Sequence, residues 1–290
     1  LLPAVGEVFA ERSGVINLGT EGVMIMAALG GLIGAFYTGS IWLGIISGMA
    51  CGVLMDLLIA FLCVTAKVNQ IIAGFSINLI GSGLSIFLYR VVFGIRSVSA
   101  SVEQLPELPI PGLSRIPLLG TVFFTHSPFV YLGYLMVPLA WFLLYKTKFG
   151  LAIRSVGENP EAADTKGIRV DSIRYACLGI HGIFAGLGGA FLSLAFQGTF
   201  LADMTAGRGY IALAVVVLAK WDPVRAIWAS LLFGGLYAFG LRLQVMETSI
   251  PYQIFLSLPY ILTLIALIGV SRRAETPAAL AMPFSRGHKE

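Results

Sequence analysis

The sequence predicts an all-α polytopic membrane protein with about 8–10 transmembrane helices, some of them short or broken. Of its 290 residues, 57% are hydrophobic and only 12% are charged, whereas a soluble domain carries about 25% charged residues. The mean hydropathy is +0.88. The 34 glycines suit close approach of helices and helix breaks inside a membrane. A soluble globular fold is therefore excluded, and the charge of +4 is no argument for nucleic-acid binding.

Apolar runs of about the length needed to cross a bilayer recur along the chain. They cover residues 22–37, 42–66, 70–93, 128–145, 173–197, 224–241 and 251–270. Two further runs are short. Residues 1–10 are expected to be the tail of a truncated helix, with an N-terminal piece preceding Leu1. Residues 209–221 cross only if the preceding TFLADMTAGR enters the membrane as a broken segment, which requires surrounding protein or a cavity. This segment is a predicted pathway lining.

Cations predict which side of the membrane each loop faces. The densest cluster lies in the loop between 145 and 175 and comprises Lys146, Lys148, Arg154, Lys166, Arg169 and Arg174. Lysine and arginine concentrate in cytosolic loops, so this loop is expected in the cytosol. By parity, Lys67 and the KWDP turn at 220–223 are cytosolic, and the proline-rich loop 94–127 is an external lid, irregular or with one short helix.

The predicted organisation is a transmembrane domain over residues 1–271 and a cytosolic tail over 272–290. The domain includes the external loop 94–127 and the cytosolic loop 146–174.

A short helix is predicted within GENPEAADTKGI, residues 157–168. Asn159 is a helix-capping residue, Pro160 suits the first helical position, and Glu161 favours the positive end of the helix dipole. Gly167 supplies a stop. Ala162, Ala163 and Lys166 are expected to form one small, smooth face, and Asp171 with Ser172 is expected to cap the next membrane helix. Two roles are open: a helix packed on its own protein, or a docking helix for a cytosolic partner.

A family resemblance favours the docking role. The string Glu161-Ala162-Ala163-x-x-x-Gly167 resembles the EAA motif of ABC importer permeases. In that family the motif lies on a coupling helix that seats in a groove of the ATPase subunit. The resemblance implies that the ATPase-coupling residues are Asn159, Pro160, Glu161, Ala162, Ala163, Lys166 and Gly167.

Other stretches resemble the simple-sugar and nucleoside group of branched-chain-type permeases. They are GEVFAERSGVINLGTEGVMIMAALGG, KVNQIIAGFSINLIGSGLSIFLYR and GYIALAVVVLAKWDP. The terminal AALAMPFSRG is similar to the tail of the shorter permease of purine-nucleoside importers. Two positions depart from the expected pattern: Asp56 stands where an apolar residue is expected, and Ile59 stands where a histidine is frequent.

The resemblance implies a type II-like permease subunit of an ATP-driven importer, carrying nucleosides or alternatively a simple sugar such as a pentose, and less plausibly a branched-chain amino acid. The implied partners are a second permease, two ATP-binding subunits or one fused ATPase, an extracytoplasmic substrate-binding protein and membrane lipid. ATP and Mg²⁺ would be held by the ATPase, and this chain would bind no cofactor. The expected location is a bacterial plasma membrane, with the C-terminus in the cytosol.

Polar residues within the spans are candidates for the substrate pathway. Ionisable side chains there are costly, at least about 2.5 kcal/mol at the bilayer centre, so they usually face a cavity or a partner. Asp56 either pairs with a neighbouring helix or takes part in solute or proton coupling. Glu21 is a charge at a helix N-terminus, an acceptor near the pathway, or a brace for the broken segment before it. The predicted substrate-pathway residues are Asn17, Glu21, Phe75, Asn78 and Gln197.

Structural roles remain open for the same residues, because amides in membranes often bond helix to helix. His181 is expected to be a packing residue of a glycine-rich helix, and its isolation argues against a metal site. Phe75, Phe87, Phe196 and Phe200 are expected either to stack on a base, to plug the channel, or simply to face lipid or core. The three cysteines are expected to be packing residues.

The sequence contains no phosphate-binding loop, nucleophile elbow or metal-ligand spacing, so no catalytic or metal-binding residue is predicted. Two other classes stay open: an ion-coupled secondary transporter using Asp56 and Glu21, and a membrane scaffold. We expect inverted repeats in the former, and no clear pair occurs in the sequence.

Overall fold

A computed structural model describes residues 1–94, 100–116, 120, 123–245, 257, 261 and 276–285. Within these residues the regular secondary structure is almost entirely helical. The helices are α1 (Leu2–Arg12), α2 (Thr20–Thr38), α3 (Ile41–Ala60, continued by the π-helix Phe61–Thr65), α4 (Gln70–Phe93), α5 (Pro128–Lys146), α6 (Lys148–Glu158), α7 (Pro160–Thr165), α8 (Val170–Phe191, continued by the π-helix Leu192–Phe196), α9 (Arg208–Leu218) and α10 (Pro223–Val245).

Six of these helices, α2, α3, α4, α5, α8 and α10, are long and apolar enough to cross a membrane. They coincide with six of the seven predicted spans and differ from them by a few residues at the ends. The predicted span 251–270 lies outside the described residues, except for Ser257 and Ile261. The two short predicted runs correspond to α1 and α9, of 11 residues each, which is too short to cross a bilayer alone.

The centre of the bundle is formed by α2, α3 and α8, and glycines allow the closest approach. A Cβ atom on Gly182 would lie 2.6 Å from Val53 Cα of α3, and one on Gly186 would lie 2.8 Å from Met49 Cα. Side chains larger than glycine would force α3 and α8 apart at both positions. Among the six long helices of the described chain, α8 is the most enclosed, so its polar residues must find partners inside the protein.

Three contacts bring together segments that the charge pattern places on one side. Lys67 Nζ donates to Ser285 Oγ at 2.8 Å. At the same end, Arg12 Nε donates to Trp221 O at 3.2 Å, and the Ala279 amide donates to Gly157 O at 2.9 Å. The loop before α4, the KWDP turn, the end of α6 and the tail therefore share one end of the bundle. Its cytosolic assignment remains a prediction from charge.

The described part of loop 94–127, predicted to be external, has more regular structure than expected. It contains a two-stranded antiparallel sheet, β1 (Leu108–Pro109) with β2 (Thr125–His126), and a 3-10 turn at Leu113–Arg115. Its first part is bonded to the chain that follows α8, where Ser101 and Thr199 form an antiparallel bridge and Thr199 Oγ1 donates to Ala100 O at 2.7 Å. The loop is thus attached to the broken segment instead of lying freely above it.

The predicted break before α9 is present. Residues 197–207 are non-helical, with bends at 197–198, the bridge residue Thr199 and turns at 202–207. The backbone is left-handed at Gly198, Asp203, Ala206 and Gly207, with φ of 69°, 59°, 44° and 78°. Left-handed conformations interrupt a helix and are costly for residues other than glycine. The segment therefore needs bonds from neighbouring helices to hold it.

Candidate coupling and pathway sites

The short helix α7 has the cap and the stop that its sequence predicts. Asn159 Oδ1 accepts the Ala162 amide at 2.9 Å, and Pro160 occupies the first helical position. At the other end Gly167 has φ of +83°, and the Ile168 amide returns to Ala163 O at 3.1 Å. Both ends of α7 are thus closed by local hydrogen bonds, and α7 is a separate helix of six residues between α6 and α8.

One side of α7 is packed on the protein and the other is exposed. Ala163 is 4% exposed and packs in a small cluster with Val156 and Val170. Ala162 and Lys166, four residues apart on the helix, are exposed. The expected face of Ala162, Ala163 and Lys166 is therefore wrong in one member, since Ala163 faces inward. At 3.6 residues per turn, adjacent residues differ by about 100°, which separates the two alanines.

The expected cap of the following helix is also different. The residue that precedes α8 is Arg169, with no side-chain hydrogen bond to the helix, and Asp171 lies in the first turn. The helix begins earlier than predicted because Val170 is already helical and is buried at 2% exposure. Apolar contact with α6 and α7, and not a side-chain cap, secures this helix start.

A buried polar cluster joins α1, α2, α3 and α8. His181 Nδ1 lies 2.5 Å from Asp56 Oδ2, and His181 Nε2 lies 3.1 Å from Glu7 Oε2. All three side chains are fully buried. The expectation of an isolated packing histidine is therefore wrong, whereas pairing of Asp56 with a neighbouring helix is observed. Two carboxylates facing the two ring nitrogens suit an imidazolium, which donates from both.

Asn17 completes this cluster, and its side chain is bonded within the chain. Its Nδ2 donates to Asp56 Oδ1 at 2.6 Å, and its Oδ1 accepts the Gly19 amide at 2.9 Å. Its backbone amide donates to Glu7 Oε1 at 2.9 Å. These contacts turn the chain from α1 into α2. They account for the burial of Asn17 without a solute, and its pathway role stays a prediction.

Sequence reasoning missed Glu7 and Glu11. Both are buried, and the indole Nε1 of Trp221 donates to Glu11 Oε2. The available signal was two carboxylates four residues apart in an apolar run, hence on one helix face. Within the described part of the chain, no group of three His, Cys, Asp or Glu residues is arranged to hold a metal ion.

Glu21 holds the start of α9. Its Oε1 accepts the Gly207 amide at 2.7 Å, and its Oε2 accepts the Gly209 amide at 2.6 Å. Amides at a helix N-terminus have no partner within the helix, and a carboxylate there also opposes the helix dipole favourably. Glu21 thus braces the broken segment before α9 through amides that lie 186 and 188 residues away in sequence. It does not brace the segment that directly precedes Glu21.

Asn78 connects α4 to the start of α2 and to α9, the two helices that Glu21 also joins. Its Oδ1 accepts the Gly22 amide at 2.8 Å. Its Nδ2 donates to Leu18 O at 2.7 Å and to the Tyr210 hydroxyl at 2.8 Å. These are the helix-to-helix bonds that the sequence left open as an alternative. A solute contact by Asn78 stays a prediction.

The aromatic and amide candidates differ in exposure. Phe75 is 50% exposed and Gln197 is also exposed. Phe87 and Phe196 are accessible as well, whereas Phe200 is buried and stacks on Tyr89. The exposed apolar residues of α4 follow a helical repeat and form a stripe of Ile72, Phe75, Leu79, Phe87 and Val91.

A cavity of about 370 Å³ lies between α1, α5, α8, α9 and α10. Its described lining is mostly apolar and includes Arg208, which donates to the Tyr237 hydroxyl. The five predicted pathway residues are absent from this described lining. The exposed members of that set lie instead on the outside of the chain, where a second subunit could contact them.

In the described chain, six helices long and apolar enough to cross a membrane indicate a multi-pass membrane protein, and a family match gives its class, a transport permease. The chain belongs to the family described as branched-chain amino acid transport system / permease component, whose model matches residues 1–270.

Three curated relatives match this chain over almost their full lengths. The putative glucose ABC transporter permease protein TsgC13 of Haloferax volcanii is 40% identical, over 99% of this chain and 94% of the relative. The guanosine ABC transporter permease protein NupQ of Bacillus subtilis is 38% identical, over 100% and 93%. The nucleoside ABC transporter permease protein NupC of Lactococcus lactis is 36% identical, over 96% and 90%. No solved structure matches the chain.

The last two organisms each have a second permease that also matches. These are the guanosine permease NupP of Bacillus subtilis, 25% identical over 88% of this chain, and the nucleoside permease NupB of Lactococcus lactis, 23% identical over 80%. The family resemblance recognised in the sequence is confirmed by these relatives, and the chain is an ABC transporter permease.

Proposed function

We propose that this chain and a second, related permease together form the translocation pathway of an ATP-driven importer of nucleosides. The observation that carries the proposal is the match of the whole chain to permeases named for guanosine and nucleosides. A second permease is supported by the pairing of such relatives in one organism. Membership of an ABC permease family makes the ion-coupled and scaffold alternatives unnecessary.

The exposed side of α7 is the proposed docking surface for an ATP-hydrolysing subunit. Support comes from the closed ends of α7 and from its packing on one side only. Ala163 is buried against the protein, and Ala162 is exposed. A helix of six residues does not hold in water by itself, so the anchor is what makes α7 able to transmit force. Closure of the ATPase dimer on ATP would then move α7 as a rigid lever and tilt the membrane helices.

The proposed orientation follows the cation pattern. The α6–α7 region and the C-terminal tail would face the cytosol across a plasma membrane, and residues 94–127 would meet an extracytoplasmic binding protein. ATP and Mg²⁺ would belong to the ATPase. This chain would contribute Phe75 and Gln197 to the pathway, while Glu21, Asn78 and Asn17 would keep its walls in place through the bonds described above.

Adjacent alanines provide a test of the docking surface. Single cysteines at Ala162 and Ala163 would be introduced separately into the assembled transporter, and a short thiol-to-amine cross-linker would be added. We expect Ala162→Cys to cross-link to the ATPase subunit and Ala163→Cys, whose side chain faces inward, to remain unlinked. Equal labelling of the two positions, or a failure of both to reach the ATPase, would contradict the proposal.

A functional test uses the charge of Glu161. Glu161→Lys and Gly167→Pro are expected to abolish ATP-dependent uptake while the permease still inserts into membranes. Glu161→Gln, which keeps the shape of the side chain, serves as the matched control and should retain more uptake. Full uptake in both disruptive variants would count against docking through α7.

A simple sugar is the second candidate cargo, because TsgC13 is named a putative glucose permease. Proteoliposomes containing both permeases, the ATPase and the binding protein would be supplied with radiolabelled guanosine or glucose. We expect ATP-dependent accumulation of guanosine that excess glucose does not reduce. Accumulation of glucose alone would replace the nucleoside proposal and leave the permease class unchanged.

A further inference from the structure

The tail of the chain is inserted among the helix ends at the proposed cytosolic side. Residues 277–285, here called the strap, include Ala279, whose amide donates to Gly157 O at 2.9 Å, and Ala281, whose amide donates to Gly14 O at 3.1 Å. Ala279 is 4% exposed. A segment bonded through its backbone to α6 and to the α1–α2 junction is a structural element, unlike an exposed terminal extension.

Arg174 connects the strap to the membrane bundle. This residue lies in the second turn of α8 and is 1% exposed. Its Nη1 donates to Met282 O at 3.0 Å, and its Nε donates to Ser13 O at 3.3 Å. A buried guanidinium needs such acceptors, because an unpaired buried charge is costly. The strap therefore supplies part of the environment that lets Arg174 join α8 to the end of α1.

Phe284 connects the strap to α7. It packs against the cluster of Val156, Ala163 and Val170, which contains the one buried residue of α7 in the described structure. Beyond it, Ser285 accepts a hydrogen bond from Lys67, in the loop before α4. One short segment thus packs on the apolar cluster that includes Ala163 of α7 and is joined to the membrane helices by hydrogen bonds.

We propose that the strap positions the coupling helix α7 and passes its movement to the ends of α1, α4 and α8. This inference rests on the proposed docking of an ATPase on α7. The anchor of α7 within its own helix is one alanine methyl group, which buries little area. Without Phe284 packed on the cluster that includes this alanine, α7 would shift against α6 and α8 under load, and ATP hydrolysis would drive less helix movement.

Phe284→Ala is the main test, made in the complete reconstituted transporter. The measured quantity is solute transported per ATP hydrolysed, because a purely structural role would lower the amount of assembled complex without changing this ratio. We expect the ratio to fall at least about fivefold, the lower range of typical coupling between sites. Phe284→Leu, which keeps part of the apolar contact, should give an intermediate ratio.

Met282→Ala is the matched control within the strap. The Met282 side chain is 58% exposed, and its bond to Arg174 uses the backbone carbonyl, so truncation should leave the ratio unchanged. If the Phe284→Ala transporter does not assemble, the ratio of solute transported to ATP hydrolysed in the Phe284→Leu variant tests the proposal instead. An unchanged ratio in every Phe284 variant that assembles would overturn the strap proposal.

Failure of the underlying docking proposal has a separate signature. If Ala162→Cys does not cross-link to the ATPase and Glu161→Lys leaves uptake intact, α7 is not the coupling helix and the strap has no coupling to transmit. If both of those experiments succeed and the Phe284 ratio is unchanged, docking through α7 stands and only the strap is wrong.

Discussion

The short helix α7 and the buried cluster around His181 represent two opposite ways of fixing a structure. In α7 the cap and the stop lie within nine residues of one another, at Asn159 and Gly167, so local chemistry determines them. In the cluster, Asp56 and His181 are 125 residues apart and meet only because α3 packs on α8. The first region is closed at both ends and partly exposed, whereas the second locks four helices together away from solvent.

The largest expected effect comes from breaking the cluster. Asp56→Ala would leave His181 beside one carboxylate and remove the acceptor of Asn17 Nδ2. Breaking a buried charge pair by removing one partner typically costs about 3–5 kcal/mol, so we expect a large loss in the free energy of unfolding. The measurement is the denaturant midpoint of the purified permease in detergent micelles.

Asp56→Asn is the control for this prediction, because it keeps an oxygen acceptor for Asn17. It should be intermediate in stability. A midpoint for Asp56→Ala close to that of the unmodified protein would mean that the cluster does not hold the helices together.

A smaller effect is expected at the brace of the broken segment. Glu21→Gln replaces one of two carboxylate oxygens with a donor, which cannot accept the Gly207 or Gly209 amide. Hydrogen bonds to charged groups contribute about 1.5–3 kcal/mol, so α9 should loosen at its start and uptake should slow. Hydrogen exchange at the first amides of α9 measures the loosening directly.

Glu103→Gln serves as the comparison, since Glu103 is an exposed carboxylate of the loop between α4 and α5. In the Glu103→Gln variant, the hydrogen-exchange rates of the first α9 amides should equal those of the unmodified protein. Protection of α9 that is equal in the Glu21 and Glu103 variants would show that the brace is not needed.

The smallest stability change is expected at the cap of α7. Asn159→Ala removes the acceptor of the Ala162 amide and should cost about 1 kcal/mol, mostly as fraying of α7. Uptake should nevertheless decrease clearly, because α7 would no longer move as one body. Asn159→Asp keeps the acceptor and should preserve both the hydrogen-exchange protection of the Ala162 amide and the uptake rate. Loss of uptake in the Asn159→Asp variant would point to a role for Asn159 other than capping.

The same contrast explains which predictions succeeded. Six spans, the cap of α7 and the break before α9 depend on runs of neighbouring residues, and the structure has them where the sequence indicated. His181 was misjudged because nothing beside it in sequence reveals Asp56 or Glu7. Ala163 was assigned to the exposed face of α7 because a six-residue helix carries too few apolar residues to define which side is buried.

The amino-acid sequence alone determined the class of protein, the family resemblance and the position of the helices, because apolar length, caps and glycine breaks act over a few residues. Only the tertiary structure decided the partners of Glu7, Glu21, Asp56 and Arg174 and the insertion of the tail beside α7. The physical reason is that a polar group removed from water must find a partner, and its identity depends on which distant helices pack together.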